Sequence, residues 1–532
     1  MKMRRIDKLC ALTLALCLIL PLAACGGTSS GETSAPSDPA VSADTATAPD
    51  GALIGKTDIV FANASDIASA DPHVVSDTTS IVLLKHIYCT LLDLDNEGNL
   101  CPDLAVSYEA SDDAMEFVFK LNENAIFADG TPITAQDVKF SFERAMEMPQ
   151  VKSLLNKLDS VTVDNDHQVT FKLKEPYALF SYIVSNGRLA ILSEEAVTTA
   201  GDAYGDVDTI LSSGEYVMSE WAANDHYTLV RNENYWGEMP ITTSITCRVV
   251  PEGTARSIML ETGEVDLVYS VDAVDVATLS ANSDVTLLQG LSSSVEVIGM
   301  NLNNEYLQDV RVRQAISHAI NKQEIVDVVM EGNAVVANSV LNKTIPGWSE
   351  EVQDLPYDVE RARELMKEAG YEDGFTISIY FFGTTRNRIA QMVQAMLAEI
   401  NINLDINAVE GSALLERVAQ GEHDLYNISS GNSNFNADYT FYNNFHSDNI
   451  GSSNYIFLDD PDMDDKIEEI QRVLDEEVRN EEYRELQQYI MDEAYMIPLY
   501  YRISTVGINS QLKGFSIASS EVYSLKNCYY EQ

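Results

Sequence analysis

Apolar and polar residues follow two different periods along this chain. They alternate at every second position in residues 116–121 and 168–173, which predicts strands with one buried face. Between these segments, residues 134–145 repeat apolar positions at three- and four-residue spacing and predict an amphipathic helix. Residues 375–382 and then 389–400 repeat the order of strand and helix. Such alternation is typical of a sheet covered by helices, so the pattern predicts the α/β class.

Two further helices carry their own start and stop signals. Asp309 precedes a run whose apolar residues fall on one face, and Asp358 precedes another run that Gly370 ends. An aspartate before the first turn can accept hydrogen bonds from free backbone N–H groups, and glycine readily adopts the left-handed conformation that ends a helix. We expect both apolar faces to pack against the core.

The first 24 residues have the pattern of an export signal. Basic residues precede an apolar run, residues 9–20, that is shorter than the roughly 20 residues needed to span a bilayer. Residues 22–25, Leu-Ala-Ala-Cys, resemble the cleavage site of bacterial lipoproteins, in which the cysteine thiol carries a diacylglycerol. We therefore expect a signal peptide and a lipid anchor at Cys25 on the extracellular face of the cell membrane, or in the periplasm if the source has an outer membrane. The alternative is a buried hydrophobic helix.

Residues 25–55 are rich in Gly, Ser, Thr, Ala, Pro and Asp. Such a composition cannot bury enough apolar surface to offset the entropy of ordering, so it predicts a disordered tether. The remaining chain, about 475 residues, is long enough for two or three domains. A formal net charge of −49, spread along the sequence, makes nucleic acid and anionic lipid headgroups poor partners.

Four cysteines remain after the signal and the acylation site. Cys89 and Cys101 flank a turn predicted at residues 95–98 and can either pair across it or remain separate thiols. Cys247 and Cys528 complete the set. Neither their spacing nor any nearby histidine indicates a zinc site, so we expect no metal and no cofactor.

No catalytic motif accompanies the export signal. Outside the predicted tether the sequence has no Gly-x-Ser-x-Gly motif, it has no His-Glu-x-x-His or Cys-x-x-Cys motif, and its seven histidines are scattered. We therefore expect a binding protein and not an enzyme. The alternative, a surface-anchored extracellular hydrolase, rests only on the abundance of carboxylates, because a glycosidase pair need only meet in space.

Several ordered segments resemble the bacterial extracellular solute-binding proteins of family 5, the oligopeptide- and dipeptide-binding receptors of ABC importers. The signature segment is residues 127–144. Residues 212–216 depart mildly, since Ser-Ser-Gly-Glu-Tyr stands where the family usually has Gly-Thr-Gly-Pro-Tyr. The other resembling segments are residues 104–108, 231–237, 255–256, 263–266, 309–315, 357–371 and 497–500.

The resemblance implies an α/β, two-lobed fold of the periplasmic-binding-protein (Venus-flytrap) type with an additional α+β domain. It also implies that a ligand bridging the lobes favours a closed state, which a membrane permease accepts. We expect a monomer whose partners are its ligand and the ABC permease transmembrane subunits. The expected division is lobe I at residues 56–98, 208–300 and 500–532, the additional domain II at residues 99–207, and lobe III at residues 301–499.

The resemblance also implies candidate ligand-binding residues. In peptide-binding members, an aspartate in an Ala-Asp-Tyr setting after an aromatic residue pairs with the α-ammonium group of the ligand. Asp438, with Phe435 before it and Tyr439 after it, matches this setting. The alternative is that Asp438 only caps a turn in an ordinary aromatic core. By similarity to dipeptide binders, Arg386 or Arg388 is expected to receive the ligand carboxylate. Nickel complexes, haem, opines and sugars remain alternatives to di- or oligopeptides.

Overall fold

Strands and helices alternate through most of the computed structural model, which describes residues 54–432 and 434–532. The strands are β1 (Asp58–Asn63), β2 (Leu92–Leu94), β3 (Leu100–Pro102), β4 (Ala105–Ala110), β5 (Glu116–Leu121), β6 (Leu158–Asn165), β7 (Gln168–Leu173), β8 (Tyr216–Ala222), β9 (His226–Arg231), β10 (Ser244–Val249), β11 (Leu267–Val268), β12 (Val285–Met300), β13 (Ala334–Val336), β14 (Phe375–Phe381), β15 (Ile402–Ala408), β16 (Leu425–Ser430) and β17 (Met496–Asn509).

The helices lie between these strands. The α-helices are α1 (Thr78–Ile87), α2 (Ala135–Glu147), α3 (Phe180–Ile183), α4 (Glu194–Ala200), α5 (Gly253–Glu261), α6 (Ala273–Ser280), α7 (Val310–Ala319), α8 (Lys322–Val328), α9 (Val359–Ala369), α10 (Thr384–Ala398), α11 (Gly411–Ala419), α12 (Ala437–Phe445), α13 (Pro461–Gln471) and α14 (Glu476–Asp492). Short 3₁₀ helices are Lys152–Leu155, Gly187–Leu189, Gly201–Ala203 and Ser447–Asn449.

Among the described residues, eleven strands join in one large sheet. Its order is β15-β14-β16-β12-β17-β11-β1-β10-β9-β8, with β13 paired to β17. The long antiparallel strands β12 and β17 lie at its centre and connect its two halves. The parallel pair β14 and β15 requires a crossover connection, which α10 provides. A separate four-stranded sheet has the order β4-β5-β7-β6, and β2 and β3 form a hairpin.

The helices cover the sheets with apolar faces. Ile316 of α7 and Leu365 of α9 are buried in one hydrophobic cluster with Ile379 of β14. On the four-stranded sheet, Phe142 of α2 packs edge to face on Phe171 of β7, with ring centroids 4.8 Å apart. Burial of these apolar side chains supplies the main favourable term in folding, and the aromatic pair adds a directional contact.

The structure confirms the predicted helix starts. Thr134 precedes α2, and its backbone N–H donates to Asp137 Oδ2 over 2.9 Å. Asp309 accepts from the backbone N–H of the second helical residue of α7, and Asp358 caps α9 in a similar way. Gly370 ends α9 with a φ of 87°. The two alternating segments are β5 and β7, as predicted.

The helix predicted at residues 389–400 starts earlier than expected. It is α10, which begins at Thr384 directly after Gly383, a glycine with a φ of 86°. Residues 384–388 are all polar or charged. An apolar pattern cannot reveal such a first turn, so the prediction placed the start at the first apolar residue.

The predicted signal peptide, Cys25 and most of the predicted tether lie outside the described residues. Within residues 54–432 and 434–532, no helix is both long enough and apolar enough to cross a membrane. The division into lobe I, domain II and lobe III stays a prediction.

The four cysteines that the structure describes carry free thiols. Cys101 of β3 lies opposite Asp93 of β2, whereas Cys89 precedes the hairpin. The two thiols are therefore not paired across the turn. Burial, with a smaller contribution from Asp93, raises the pKa of Cys101 to about 11, which favours the protonated thiol at neutral pH.

A buried ion pair ties α2 to the segment that follows β1. Arg144 donates to both carboxylate oxygens of Asp71, over 2.9 and 2.6 Å. His73 lies beside this pair, and its Nδ1 is 2.7 Å from Arg144 Nη1. Burial, and then the charge of Arg144, lower the pKa of His73 to about 3, so its imidazole is neutral. The four-stranded sheet and the large sheet thus share a desolvated charge contact.

We expect Arg144→Ala to destabilise the fold by about 3–5 kcal/mol, because it leaves the carboxylate of Asp71 buried without a counter-ion. The measurement is the free energy of unfolding from urea denaturation. Lys120→Ala is the control, since Lys120 and Glu109 form an exposed pair at 3.6 Å that should contribute less than about 1 kcal/mol. Equal losses for both variants would contradict the assigned role of Arg144.

Candidate ligand-binding site

A cavity of about 420 Å³ lies between the four-stranded sheet and the segment around α12. Lys157 and Arg188 line it on the side of the four-stranded sheet, and Asp438 and Tyr439 line it on the side of α12. Ligand pockets in proteins typically measure about 300–1,000 Å³, so this space suits a small solute. We call it the Asp438 cavity.

The start of α12 fixes the position of Asp438. The side chain of Asn436 accepts a hydrogen bond from the backbone N–H of Tyr439 over 2.8 Å and thereby caps the helix. Asp438 lies in the first turn, where the helix dipole favours a negative charge. Phe435, just before the cap, has a φ of 50°. Because a positive φ is unfavourable for a residue with a side chain, the surrounding packing must hold this turn in place.

Phe435 packs against the β2–β3 hairpin and does not line the Asp438 cavity. Its side chain is buried, and a Cβ added to Gly98 would lie 2.6 Å from its ring. Gly98 also has a φ of 88°. Both the space and the backbone conformation therefore require glycine at this point of the hairpin. Through Phe435, the segment that leads into α12 packs against the hairpin.

The carboxylate of Asp438 is buried and already has two partners. Tyr177 donates its hydroxyl to Oδ2 over 2.9 Å, and Gln471 donates its amide to Oδ1 over 2.8 Å. Burial raises the pKa of Asp438, against the opposing effect of these hydrogen bonds and of Lys157. A carboxylate has about four acceptor positions, so Asp438 retains capacity for a ligand donor.

Two cations share the walls of this cavity. Lys157 donates to Gln471 Oε1 over 2.6 Å and pairs with Glu175 over 2.7 Å. Arg188 donates weakly to Asn186 Oδ1 over 3.3 Å, and burial lowers the pKa of Arg188 from its ordinary value. Neither residue was predicted from sequence. The only local signal is the Asn-Gly turn before Arg188, which marks a loop and does not mark a site.

The two predicted arginines lie elsewhere. Arg386 forms a double contact with the buried Glu296, at 2.5 and 3.1 Å. Arg388 donates to the carbonyl of Val328 over 2.7 Å, at the end of α8. Neither side chain lines the Asp438 cavity. The structure thus brings Asp438 and Tyr439 together at one cavity but gives Arg386 and Arg388 other partners.

The chain resembles known proteins over most of its length. The sequence model of the bacterial extracellular solute-binding proteins, family 5 (middle region), matches residues 99–452. The chain belongs to this family. A family 5 member is a receptor that delivers its solute to an ABC importer, which confirms the prediction of a binding protein. The family also places it outside the cytoplasm, on the extracellular or periplasmic side.

Curated relatives agree with this assignment. The glutathione-binding protein GsiB of Escherichia coli (strain K12) is 28% identical over 483 residues, which cover 88% of this chain and 94% of the relative. GsiB of Salmonella typhi is 28% identical over 473 residues, which cover 86% of this chain and 92% of the relative. The similarity spans nearly the whole of each relative, as expected of family 5 members of one architecture.

Solved structures confirm the fold. The periplasmic binding protein DppA from Helicobacter pylori, in complex with the peptide STSA, aligns with a TM-score of 0.76 and 26% identity, covering 89% of this chain and 98% of that chain. HbpA2 from Haemophilus parasuis aligns with a TM-score of 0.82 and 22% identity, covering 89% and 100%. The predicted two-lobed periplasmic-binding-protein fold is therefore confirmed.

We expect Asp438→Ala to destabilise the unliganded protein by about 1–3 kcal/mol, because it leaves Tyr177 and Gln471 as buried donors without an acceptor. Since burial raises the pKa of Asp438, its contribution to stability is largest at acidic pH and declines as the pH rises through that pKa. The loss should therefore be larger at acidic than at alkaline pH. Urea denaturation at both pH values measures it.

The exposed Asp448 offers a matched control, since it lies just beyond α12 and its side chain is 73% exposed. Asp448→Ala should leave the free energy of unfolding nearly unchanged. An equally small effect of Asp438→Ala would show that its two hydrogen bonds do not support the fold.

Proposed function

We propose that this family 5 member captures di- or oligopeptides in the Asp438 cavity and delivers them to an ABC permease, while a lipid on Cys25 holds it at the membrane. The observation that carries the peptide assignment is the composition of the cavity wall. One wall offers the carboxylate of Asp438, and the other offers the cations Lys157 and Arg188. A free peptide is a zwitterion with one ammonium and one carboxylate end, which matches this pair of charges.

The roles of the wall residues follow from their present partners. Asp438 uses one acceptor position on each oxygen, so a ligand ammonium group can add to it without displacing Tyr177 or Gln471. Arg188 is better placed than Lys157 to receive a ligand carboxylate, because Lys157 already pairs with Glu175. Tyr439 lies on the same wall and can contact the peptide backbone or side chains.

The names of similar proteins support a peptide ligand. The curated relatives are glutathione-binding proteins, and glutathione is a tripeptide. The DppA structure at 26% identity contains a bound peptide.

The position of the cavity suggests how ligand binding is coupled to transport. In the proposed division, Arg188 belongs to domain II and Asp438 to lobe III. A ligand that contacts both walls stabilises the arrangement in which they face each other, because its affinity is higher there. In this division lobe I does not line the cavity, so closure here would bring domain II, and not lobe I, against lobe III. It would still give the permease a surface that distinguishes the loaded from the empty receptor.

Asp438→Asn should weaken binding of trialanine by about 2–5 kcal/mol, because one member of a buried charge pair is lost. That corresponds to roughly 30-fold to several thousandfold in affinity. Acetylating the amino terminus of trialanine should cause a similar loss in the unmodified protein. The two changes together should cost much less than their sum, since both remove one contact. Calorimetric titration of the four combinations measures the coupling.

The asparagine variant is preferred to alanine because it preserves size and one acceptor. Asp448→Asn serves as the control and should leave trialanine affinity unchanged. The same four-way comparison, made with Arg188→Gln and with trialanine amide, tests whether Arg188 binds the carboxylate end of the peptide. Equal binding of free and acetylated trialanine, or losses that simply add, would remove Asp438 as the amine anchor.

Cys25→Ser should release the protein from the membrane, because two acyl chains provide stable anchoring and none would remain. Cell fractionation with antibody detection measures the distribution, and thermal unfolding checks that the soluble domain is intact. Cys101→Ser is the control, since it removes a thiol within the described fold and should leave the protein membrane-bound. Membrane association of the Cys25 variant after a high-salt wash would refute the lipid anchor.

A further inference from the structure

Two further cavities adjoin the β2–β3 hairpin. Their volumes are about 140 and 380 Å³, and they share part of their lining, including Asp103. Residues from α1, from the hairpin and from the C-terminal segment surround the larger one. We call the two together the acidic chamber. Its titratable lining residues are Lys85, Tyr88, Cys89, Asp93, Asp95, Glu97, Cys101, Asp103, Tyr182, Glu215, Tyr235 and Lys526.

Most charges in the acidic chamber have a partner within it. Lys85 pairs with Asp93 over 2.6 Å. Lys526 pairs with Glu215, also over 2.6 Å. The carboxylate of Asp95 accepts hydrogen bonds from its own hairpin turn. These three groups therefore need nothing further from a ligand.

Asp103 differs from these groups. Its Oδ2 accepts the backbone N–H of Thr90 over 2.7 Å, and the Thr90 hydroxyl lies 3.3 Å away. Its Oδ1 receives no hydrogen bond from any residue that the structure describes. The side chain is only partly buried, and it lines both cavities of the chamber. A carboxylate oxygen without a donor therefore faces this space.

The environment makes this carboxylate costly to ionise. Burial, and then the charge of Asp93, raise the pKa of Asp103 to about 7, against weaker opposing effects of Thr90 and Lys85. A cation placed at Oδ1 would compensate the ionised form. At neutral pH the acidic chamber therefore has a physical reason to prefer a positively charged occupant.

The shape of the chamber indicates what kind of cation fits. Part of the lining of the smaller cavity is apolar. We call this part the apolar throat, and it consists of Ile81, Leu84, Leu94, Phe435 and Val522. Asp103 is one of the polar residues that line both cavities, so it lies where they adjoin. An apolar stem with a charged tip suits such a site, because the stem is buried while the tip keeps a counter-ion. The described residues form no group of three or more ligands that could hold a metal ion.

We propose that the acidic chamber binds one alkylammonium or guanidinium group, with Asp103 as its counter-ion and the apolar throat around its alkyl stem. The group can belong to a lysine or arginine side chain of a bound peptide, or to a free organic amine. The first source rests on the proposed peptide function and would make this receptor selective for basic peptides. The second source is independent of it.

The test compares two tripeptides and one amine. Alanyl-lysyl-alanine and alanyl-norleucyl-alanine differ only in the terminal ammonium group, and n-pentylamine carries that group without a peptide. Each is titrated calorimetrically into the full mature protein, into Asp103→Asn and into Asp112→Asn. The last is the control, because Asp112 is exposed on the β4–β5 turn. Asp103→Asn keeps an acceptor for Thr90, and circular dichroism with thermal unfolding verifies its fold.

We expect the lysyl peptide to bind about tenfold or more tightly than the norleucyl peptide, because the ammonium group gains a desolvated counter-ion. Asp103→Asn should abolish this preference, and Asp112→Asn should retain it. The preference should also grow between pH 6 and pH 8, since Asp103 ionises over that range. Binding of n-pentylamine that disappears in Asp103→Asn, without a preference between the peptides, would assign the chamber to free amines.

The proposal fails if the peptides bind equally and n-pentylamine does not bind. In that case, because both peptides still bind, the proposed peptide function is not contradicted. If neither peptide binds, the proposed peptide function fails. Titration with n-pentylamine then decides alone whether the acidic chamber binds an ammonium group. A preference for lysine that survives in Asp103→Asn would overturn the role of Asp103.

Discussion

The pairing of β12 with β17 is the constraint on which the large sheet depends. These strands connect the two halves of the large sheet. The regular pairing between them is interrupted between Leu291 and Val295. At this interruption, Ser293 donates its backbone N–H to the carbonyl of Ser519 over 2.9 Å, and the carbonyl of Ser294 accepts from Asn342 over 2.6 Å. Two loops from different parts of the chain are therefore anchored at the same point. A change of strand twist there would move both loops together, as a hinge requires.

A second constraint is the hydrogen-bonded chain that joins the four-stranded sheet to α12 and α13. Lys157 donates to Gln471, Gln471 donates to Asp438, and Tyr177 donates to the same carboxylate. A buried carboxylate is tolerated only when such donors surround it. The same residues therefore stabilise the contact between the two walls and determine the electrostatics of the Asp438 cavity. Under the proposed function, stability and ligand recognition cannot be tuned independently there, which is a common trade-off at functional sites.

Sequence periodicity predicted the elements well because burial on one face imposes a period on each of them. β5, β7 and α2 follow that rule, and the capping aspartates of α7 and α9 act locally, within a few residues. The contacts of the candidate site residues were harder to predict, because the residues that meet are far apart in sequence. The carboxylate of Asp438 meets Tyr177, which lies 261 residues away. Arg386 finds Glu296 across 90 residues. Only the folded chain decides which of many scattered charges become neighbours.

The net charge of −49 therefore says little about function until each carboxyl group is placed in its surroundings. Among the described residues, burial raises the pKa of Asp103, Glu215, Asp354 and Asp438. Lysines compensate two of them, Glu215 and Asp354, over 2.6 Å each. Neutral donors compensate Asp438 on both oxygens, whereas Asp103 has donors on one oxygen only. Asp354 also lacks a donor on Oδ1, but Lys322 balances its charge. Because a buried carboxylate is costly without a counter-ion, the two carboxyl groups without a paired cation, Asp103 and Asp438, are the ones that a ligand cation would favour.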